Sequence, residues 1–342
     1  MRPPTFTASV VTLAVYATAS VIPERRDEPF AGYLMTGFFH NSHNIEQFLS
    51  VGNDPINFKQ LNQGKSILNS DIGTGRIRDP YLATNSDRSV LYLIATVSKF
   101  TILIPTMDLD ITVPGFSWDT ATRNGSLGIV VWTSPNLADW SGPYLPTVEI
   151  PDAGMVWAPS AVYDETKGGW DVFWSSNFYD NPAHSGWATY TRIRTSFTTD
   201  FATFSSPRDY ISFADTSVID QEFQYLGSTG NYVRFLKNVT TSQIFAEKTT
   251  TGMFGTWDRI LGNTREESPR EGALAYKDNV VTDKYYLWVD DYIQYIAYET
   301  TDILNNAWEP TSPSGIPPSI KHGSVFSVTQ AEYDLLLAKY PF

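Results

Sequence analysis

The chain has 342 residues, a formal net charge of −13 and a pI of about 4.7. This acidity argues against nucleic acid and anionic membrane as partners, because both require basic patches. The chain contains no cysteine, which excludes a disulfide framework and a thiolate metal site. Aromatic residues make up 14% of the chain. They favour β-strands and also stack on sugar rings, and we expect most of them to fill a β core.

Residues 1–19 have the pattern of a secretory signal peptide. Arg2 supplies a positive start, the apolar stretch from Phe6 to Tyr16 is too short to span a bilayer, and Ala17-Thr18-Ala19 fits a cleavage site of small residues. We therefore expect a secreted, extracellular protein in which residues 20–29 form a short pro-segment or linker. The alternative is a frayed N-terminal strand.

Strand-like runs rich in aromatic residues follow along the chain, and an acidic residue precedes three of them. Asp79 precedes the run at 90–95, Asp220 the run at 231–236, and Glu271 the run at 284–289. If these strands are arranged radially, the three carboxylates point into one shared cavity. Such a group of carboxylates is what acid/base hydrolysis of a glycosidic bond requires. Each acid alone could instead belong to a turn, a cap or a solvated loop.

A weak repeat of hydroxyl residues, a short turn and an aromatic residue occurs five times. The interval between copies narrows to about fifty residues along the chain, a period typical of β-propellers. Five copies predict five blades, and each copy is expected to lead into an outer strand. Chance recurrence of such turns in another all-β protein is the alternative. The copies are Ser50–Phe58, Thr133–Trp140, Thr195–Phe204, Thr249–Trp257 and Thr300–Trp308.

The two ends of the chain are each an incomplete blade. Residues 33–61 carry a strand-like run and a repeat copy without an acidic residue ahead of them, whereas residues 321–329 resemble an inner strand without a copy. Pairing the two ends would close a ring and remove its open edges. The sequence therefore predicts an all-β, five-bladed β-propeller over residues 30–342. We expect a short helix within residues 331–340 and a long loop at 101–126.

Five short motifs stand at the heads of the predicted blades: Asp79-Pro80, Trp157-Ala158-Pro159, Val218-Ile219-Asp220, Glu271-Gly272 and His322-Gly323. Their order resembles that in glycoside hydrolase family 43, especially its arabinofuranosidase-like subset. The resemblance covers residues 33–330. It implies a secreted, inverting enzyme that cleaves terminal α-L-arabinofuranosyl or related pentosyl residues from plant cell-wall polysaccharides. A β-xylosidase, an endo-arabinanase, a galactofuranosidase and a non-catalytic sugar-binding propeller remain alternatives.

The resemblance also implies a role for each carboxylate. Asp79 matches the general base that activates water, and Glu271 matches the general acid that protonates the leaving oxygen. Asp220 matches the third carboxylate, which orients the acid and raises its pKa. An inverting site leaves room for water by holding acid and base about 6.5–9.5 Å apart, and opposite sides of a propeller axis can supply that gap.

Four further residues are expected to contact the substrate: Arg78, Trp157, Ser160 and His322. Trp157 matches a residue near the sugar-binding floor, and Ser160 stands where relatives commonly carry an acid. His322 matches an axial histidine that in many members lies near a central calcium ion or water cluster, so it is also the candidate metal ligand. We expect no required cofactor beyond a structural Ca²⁺ near the axis. The expected partner is an arabinose- or xylose-containing polysaccharide or oligosaccharide, bound by a monomer.

Overall fold

A computed structural model describes residues 29–39, 44–70, 72, 76–98 and 118–342. The predicted signal peptide and nearly all of the predicted linker lie outside these residues. None of the described helices is long and apolar enough to cross a membrane. The strands are β1 (Phe30–Phe39), β2 (Asn44–Ser50), β3 (Phe58–Gln60), β4 (Leu68–Asn69), β5 (Arg76–Thr84), β6 (Leu91–Ser98), β7 (Ile129–Ser134), β8 (Ser141–Tyr144), β9 (Trp157–Asp164), β10 (Gly169–Ser176), β11 (Arg192–Thr198), β12 (Arg208–Ile211), β13 (Val218–Tyr225), β14 (Tyr232–Asn238), β15 (Gln243–Thr249), β16 (Asp258–Arg259), β17 (Glu271–Lys277), β18 (Tyr285–Asp290), β19 (Tyr295–Thr300), β20 (Glu309–Thr311) and β21 (Ile320–Thr329).

These strands form five antiparallel sheets arranged as the blades of a propeller. Blade I has the order β21-β1-β2-β3, with β4 added on β2, and blades II to V are β5–β8, β9–β12, β13–β16 and β17–β20. The innermost strands β21, β5, β9, β13 and β17 contact one another in a closed ring. Blade I joins the two ends of the chain, because β1 pairs with β21 from Phe30↔Thr329 to Phe39↔Ile320. The predicted five-bladed fold and its closure are confirmed.

The predicted repeat copies join the third strand of each blade to its outermost strand. Their aromatic residues pack between blades: the ring of Phe58 contacts that of Trp288 of blade V at 5.9 Å, and Trp308 contacts Phe235 of blade IV at 5.9 Å. The core is correspondingly divided into five hydrophobic clusters, one at each blade interface. The hydroxyl residues of the repeat stabilise its turns, because the side chains of Thr198 and Thr249 accept hydrogen bonds from backbone N–H groups within those turns.

The described residues contain two short α-helices, α1 (Trp118–Arg123) and α2 (Gln330–Lys339). Helix α2 is the expected C-terminal helix, and Thr329 and Glu332 form a capping box at its start. Helix α1 falls inside the segment predicted as a long loop, so that prediction is wrong for residues 118–123; residues 101–117 lie outside the described part of the chain. Arg123 at the end of α1 donates to the Gly186 carbonyl at 3.1 Å, which ties α1 to the loop that follows β10.

Candidate active site

Every innermost strand carries a β-bulge near its start, where the pairing with the second strand of its blade shifts register. Four residues at these bulges have positive φ: Asp79 at 51°, Ala158 at 47°, Asp220 at 54° and Gly272 at 56°. A bulge bends its strand and changes the direction of a side chain. Because all innermost strands begin on the same face, the five motifs predicted from the sequence meet at one end of the propeller axis. A Cβ on Gly272 would lie 2.9 Å from the His322 side chain, which requires glycine there.

Asp79 of β5 is held by two side-chain contacts. Thr96 donates its hydroxyl to Oδ2 at 2.9 Å, and Nδ1 of His322 lies 3.3 Å from Oδ1. Burial alone raises the pKa of the Asp79 carboxyl, but the contacts with His322 and Thr96 and the charge of Arg78 outweigh burial and lower this pKa below its usual value. Asp79 is therefore ionised at neutral pH, as a base that activates water must be.

Glu271 is the first residue of β17, and its environment raises the pKa of its carboxyl group, in contrast to Asp79. Burial is the largest effect and raises its pKa, and the charge of Asp220 raises it further, while Lys237 opposes both. Asp220 accepts the Gly272 N–H through Oδ2 at 3.2 Å, so it contacts the backbone directly after Glu271. Burial also raises the pKa of Asp220. The site thus contains one carboxyl held ionised and a second whose proton is retained to higher pH.

Three further residues, which no sequence motif indicated, also belong to this site: Lys237 and Glu222 are buried, and Tyr292 is partly exposed. Lys237 of β14 donates its ammonium group to Oε2 of Glu271 and to the hydroxyl of Tyr292. Glu222 is buried two residues beyond Asp220, and burial raises its pKa to about 8. The sequence did contain an indication of Lys237, because this lysine directly follows the apolar residues Phe235 and Leu236 of a predicted strand. No sequence pattern indicated Tyr292, because it lies in a short turn that comes near Glu271 only in the folded protein.

A contact repeated around the ring connects the second strand of each blade to the bulge of the next blade, and we call it the inter-blade contact. Blades I to III make it through hydroxyl groups. Blades IV and V make it through charges, since Lys237 meets Glu271 and Asp290 meets Lys321, with the latter Nζ–Oδ1 distance at 3.1 Å. The hydroxyl contacts are Thr36 to the Pro80 carbonyl at 3.5 Å, the Ala158 N–H to Thr96 at 2.8 Å, and the Asp220 N–H to Ser175 at 3.4 Å.

The four predicted substrate contacts occupy different environments. Trp157 is half-buried, and its ring packs edge-on against Trp118 of α1 with centroids 6.3 Å apart. The side chain of Trp118 is 56% exposed, so it extends the aromatic surface outward from Trp157. The Arg78 guanidinium lies 5.1 Å from the centre of the Phe38 ring and helps to lower the pKa of Asp79. Ser160 is buried on β9, and its hydroxyl has no hydrogen-bond partner among the described residues.

His322 lies between carboxyl groups of blades II and IV. Burial lowers its pKa, but the hydrogen bond with Asp79 and the charges of Asp220, Asp79 and Glu222 raise it to about 9. The histidine is therefore a cation at neutral pH beside Asp79, and it would have to lose its proton to bind a metal. The described residues contain no group of three or more His, Cys, Asp or Glu side chains that could hold a metal ion. A Ca²⁺ near the axis, with His322 as a ligand, stays a prediction.

Residues 28–334 match the model of a family described as a probable glycosyl hydrolase domain related to glycoside hydrolase family 43. The chain belongs to this family. The predicted resemblance is thereby confirmed, and residues 28–334 form a probable glycosyl hydrolase domain. The five motifs lie at one end of its propeller, with the acidic residues on three of the five innermost strands.

The chain is also similar to individual proteins. The chain is 27% identical to an α-L-arabinofuranosidase of Bifidobacterium longum over 360 aligned positions, which cover 90% of the chain and 32% of that relative. The chain therefore spans about a third of the relative's length. Among solved structures it is similar to the catalytic domain of a Coprinopsis cinerea α-L-arabinofuranosidase, with a TM-score of 0.44 and 12% identity over 72% of each chain. It is also similar to an exo-β-1,3-galactanase of Clostridium thermocellum, with a TM-score of 0.45 and 12% identity over 72% of this chain and 49% of that one.

Proposed function

We propose that the protein is a secreted, inverting α-L-arabinofuranosidase that removes terminal arabinofuranosyl residues from plant cell-wall polysaccharides. One observation carries the reaction class: the environment lowers the pKa of Asp79 and raises that of Glu271. Two carboxyls whose pKa values are pushed apart are suited to act as base and acid in one step. The name of the Bifidobacterium relative supports the sugar, and the signal-like residues 1–19 support secretion.

In the proposed reaction Asp79 accepts a proton from a water molecule as the water oxygen attacks the anomeric carbon. The glycosidic C–O bond breaks, and Glu271 gives its proton to the leaving oxygen. Attack from the face opposite the leaving group inverts the anomeric configuration. Asp220 raises the pKa of Glu271 through its charge and fixes the backbone at Gly272. His322 and Thr96 hold Asp79 in place.

Substrate contacts are proposed for Trp157, Arg78, Ser160 and His322, and the exposed ring of Trp118 extends the same surface. The substrate is an arabinose- or xylose-containing polysaccharide or oligosaccharide. The enzyme would act as a monomer without a required cofactor, with a Ca²⁺ near the axis only if water completes its ligand shell.

The sugar specificity is tested with a panel of nitrophenyl furanosides and pyranosides. The α-L-arabinofuranoside should be hydrolysed fastest, and proton NMR of fresh product should show the inverted anomer first. Faster hydrolysis of a β-xyloside or a galactofuranoside would reassign the sugar, and activity confined to internal bonds of arabinan would indicate an endo enzyme. A retained first product would contradict the mechanism.

The two catalytic roles are separated by two variants. Asp79→Asn should lose about 10²–10⁴-fold in activity on all substrates, because water activation is always needed. Glu271→Gln should lose a similar factor on poor leaving groups but recover in part on nitrophenolates, which need little protonation. Equal losses on both kinds of leaving group in Glu271→Gln would remove Glu271 from the role of acid.

A further inference from the structure

Lys237 is a buried lysine next to the carboxyl group that we propose as the general acid. It comes from blade IV, whereas Glu271 comes from blade V, so the contact crosses a blade interface. The Lys237 side chain is 6% exposed, and its ammonium group donates to Oε2 of Glu271 and, at 2.9 Å, to the hydroxyl of Tyr292. Burying a lysine is costly unless its charge is paired. The contact with Glu271 supplies that partner for Lys237.

We propose that Lys237 is the positioning residue of the general acid. By holding Oε2 of Glu271, it leaves Oε1 to carry the proton toward the leaving oxygen. This inference rests on the proposed function, because it assumes that Glu271 is the acid. Tyr292 completes the arrangement, since its hydroxyl fixes the direction of the Lys237 ammonium group.

The charge of Lys237 has a second consequence during the reaction. When the Oε1–H bond of Glu271 breaks, the proton passes to the glycosidic oxygen and the electron pair stays on the carboxylate. That carboxylate then faces the Lys237 cation, so the new negative charge forms beside a fixed positive one. Preorganised charges of this kind stabilise a developing charge without reorganisation. Lys237 thus favours release of the proton, while Asp220 favours its retention.

Four groups face Glu271 from the surrounding elements. Lys237 lies on β14, Asp220 on β13, Asp290 on β18 and Tyr292 in the turn between β18 and β19. Asp290 pairs in register with Glu271, and its own charge is paired with Lys321. Lys237 is thus the cation in direct contact with the acid.

The first test measures the contact independently of activity. Carboxyl ¹³C NMR follows the titration of Glu271, whose signal is assigned by its loss in Glu271→Gln. The pKa of Glu271 should rise in Lys237→Met, because removal of the cation favours the neutral acid. Lys237→Arg should restore a value close to that of the wild type. Lys284→Met is the matched control, since Lys284 also forms an ion pair, with Glu299 at 3.1 Å, on the far side of blade V.

Tyr292→Phe covers the case in which Lys237→Met does not fold. Tyr292 is 40% exposed, so loss of its hydroxyl leaves the core unchanged. The pKa of Glu271 should rise by less than in Lys237→Met, since the hydroxyl lowers this pKa through its contact. An unchanged Glu271 titration in both variants would overturn the proposal.

The second test uses aryl α-L-arabinofuranosides with leaving phenols of increasing pKa. Lys237→Met should lose about 10- to 100-fold on the poorest leaving groups, a part of what general acid catalysis supplies, and much less on nitrophenolates. The basic limb of its pH profile should move to higher pH. A loss equal on all leaving groups, with an unmoved limb, would show a merely structural lysine. If the wild type hydrolyses no member of the panel, the proposed function fails, while the NMR titration still decides whether Lys237 controls Glu271.

Discussion

The inter-blade contacts of blades I to III differ in chemistry from those of blades IV and V, although all five occupy equivalent places. In the first group a hydroxyl of Thr36, Thr96 or Ser175 meets a backbone group of the next bulge. In the second group a charged side chain meets another charged side chain, as in Lys237–Glu271 and Asp290–Lys321. The same position in a blade therefore either makes a hydrogen bond with a backbone group of the next blade or forms an ion pair with one of its side chains.

The difference follows from what each bulge presents. At blades II to IV the bulge exposes a carbonyl or N–H group that a short hydroxyl can satisfy. At blade V the bulge presents the Glu271 carboxyl, which must give up a proton in the proposed reaction. At blade I it presents Lys321, whose charge requires a partner when buried. The comparison predicts that the hydroxyl contacts affect stability and that the Glu271 contact affects catalysis.

The largest stability effect is expected at the contact between blades V and I. Lys321→Met leaves Asp290 buried without its cation, and breaking a buried ion pair from one side costs about 3–5 kcal/mol. Urea unfolding followed by tryptophan fluorescence measures this loss. The double variant Lys321→Met/Asp290→Asn should recover most of it. If Lys321→Met costs less than about 1 kcal/mol, the pair behaves like a surface salt bridge.

A smaller effect is expected at the hydroxyl contact between blades II and III. Thr96→Val keeps the shape of the side chain but leaves the Ala158 N–H unsatisfied, which costs about 1–3 kcal/mol. It also removes a hydrogen bond that lowers the pKa of Asp79, so the acidic limb of the activity profile should move to higher pH. Thr96→Ser, which retains the hydroxyl, should show neither change. A stable Thr96→Val variant would mean that this hydroxyl does not connect the blades.

Two charges shift the pKa of Glu271 in opposite directions: Asp220 raises it and Lys237 lowers it. Removing the negative neighbour in Asp220→Asn makes ionisation of Glu271 easier, so its pKa falls and the basic limb moves to lower pH. Lys237→Met should move the same limb to higher pH. Profiles of kcat/KM measured on one substrate make the comparison direct. Shifts of equal sign in the two variants would show that the limb does not belong to Glu271.

The smallest effect is expected on the opposite face, at the turn between β9 and β10. Burial raises the pKa of Asp164, but hydrogen bonds from Thr166 and Lys167 outweigh burial and lower this pKa to about 2. Because the folded pKa lies below the unfolded value near 3.9, the stabilisation is present above that value and is lost as pH falls toward 2. After allowance for solvent screening, Asp164→Asn should cost about 1 kcal/mol at neutral pH. Unfolding at several pH values should show the difference shrinking below pH 4, with no change in activity.

Several features of the candidate active site could be predicted from short sequence patterns. Asp79, Asp220, Glu271 and His322 were located because each lies in a short motif at the start of an innermost strand. Lys237 and Tyr292 were not, because Lys237 reaches Glu271 only across the interface of blades IV and V, and Tyr292 lies in a turn of blade V that comes near Glu271 only when the sheet has formed. Helix α1 was missed because the surrounding prolines and glycine favoured a loop, and six residues provide too little periodicity to indicate a helix.

The sequence by itself determined the number of blades and the joining of the chain ends, because the repeated turns and the alternating strands are local patterns that any fold of this chain must respect. It also determined which carboxylates stand at the strand starts. The tertiary structure alone decided their electrostatics. Burial, the approach of His322 to Asp79 and the approach of Lys237 to Glu271 depend on the packing of distant segments, and charges act through distance in space rather than along the chain.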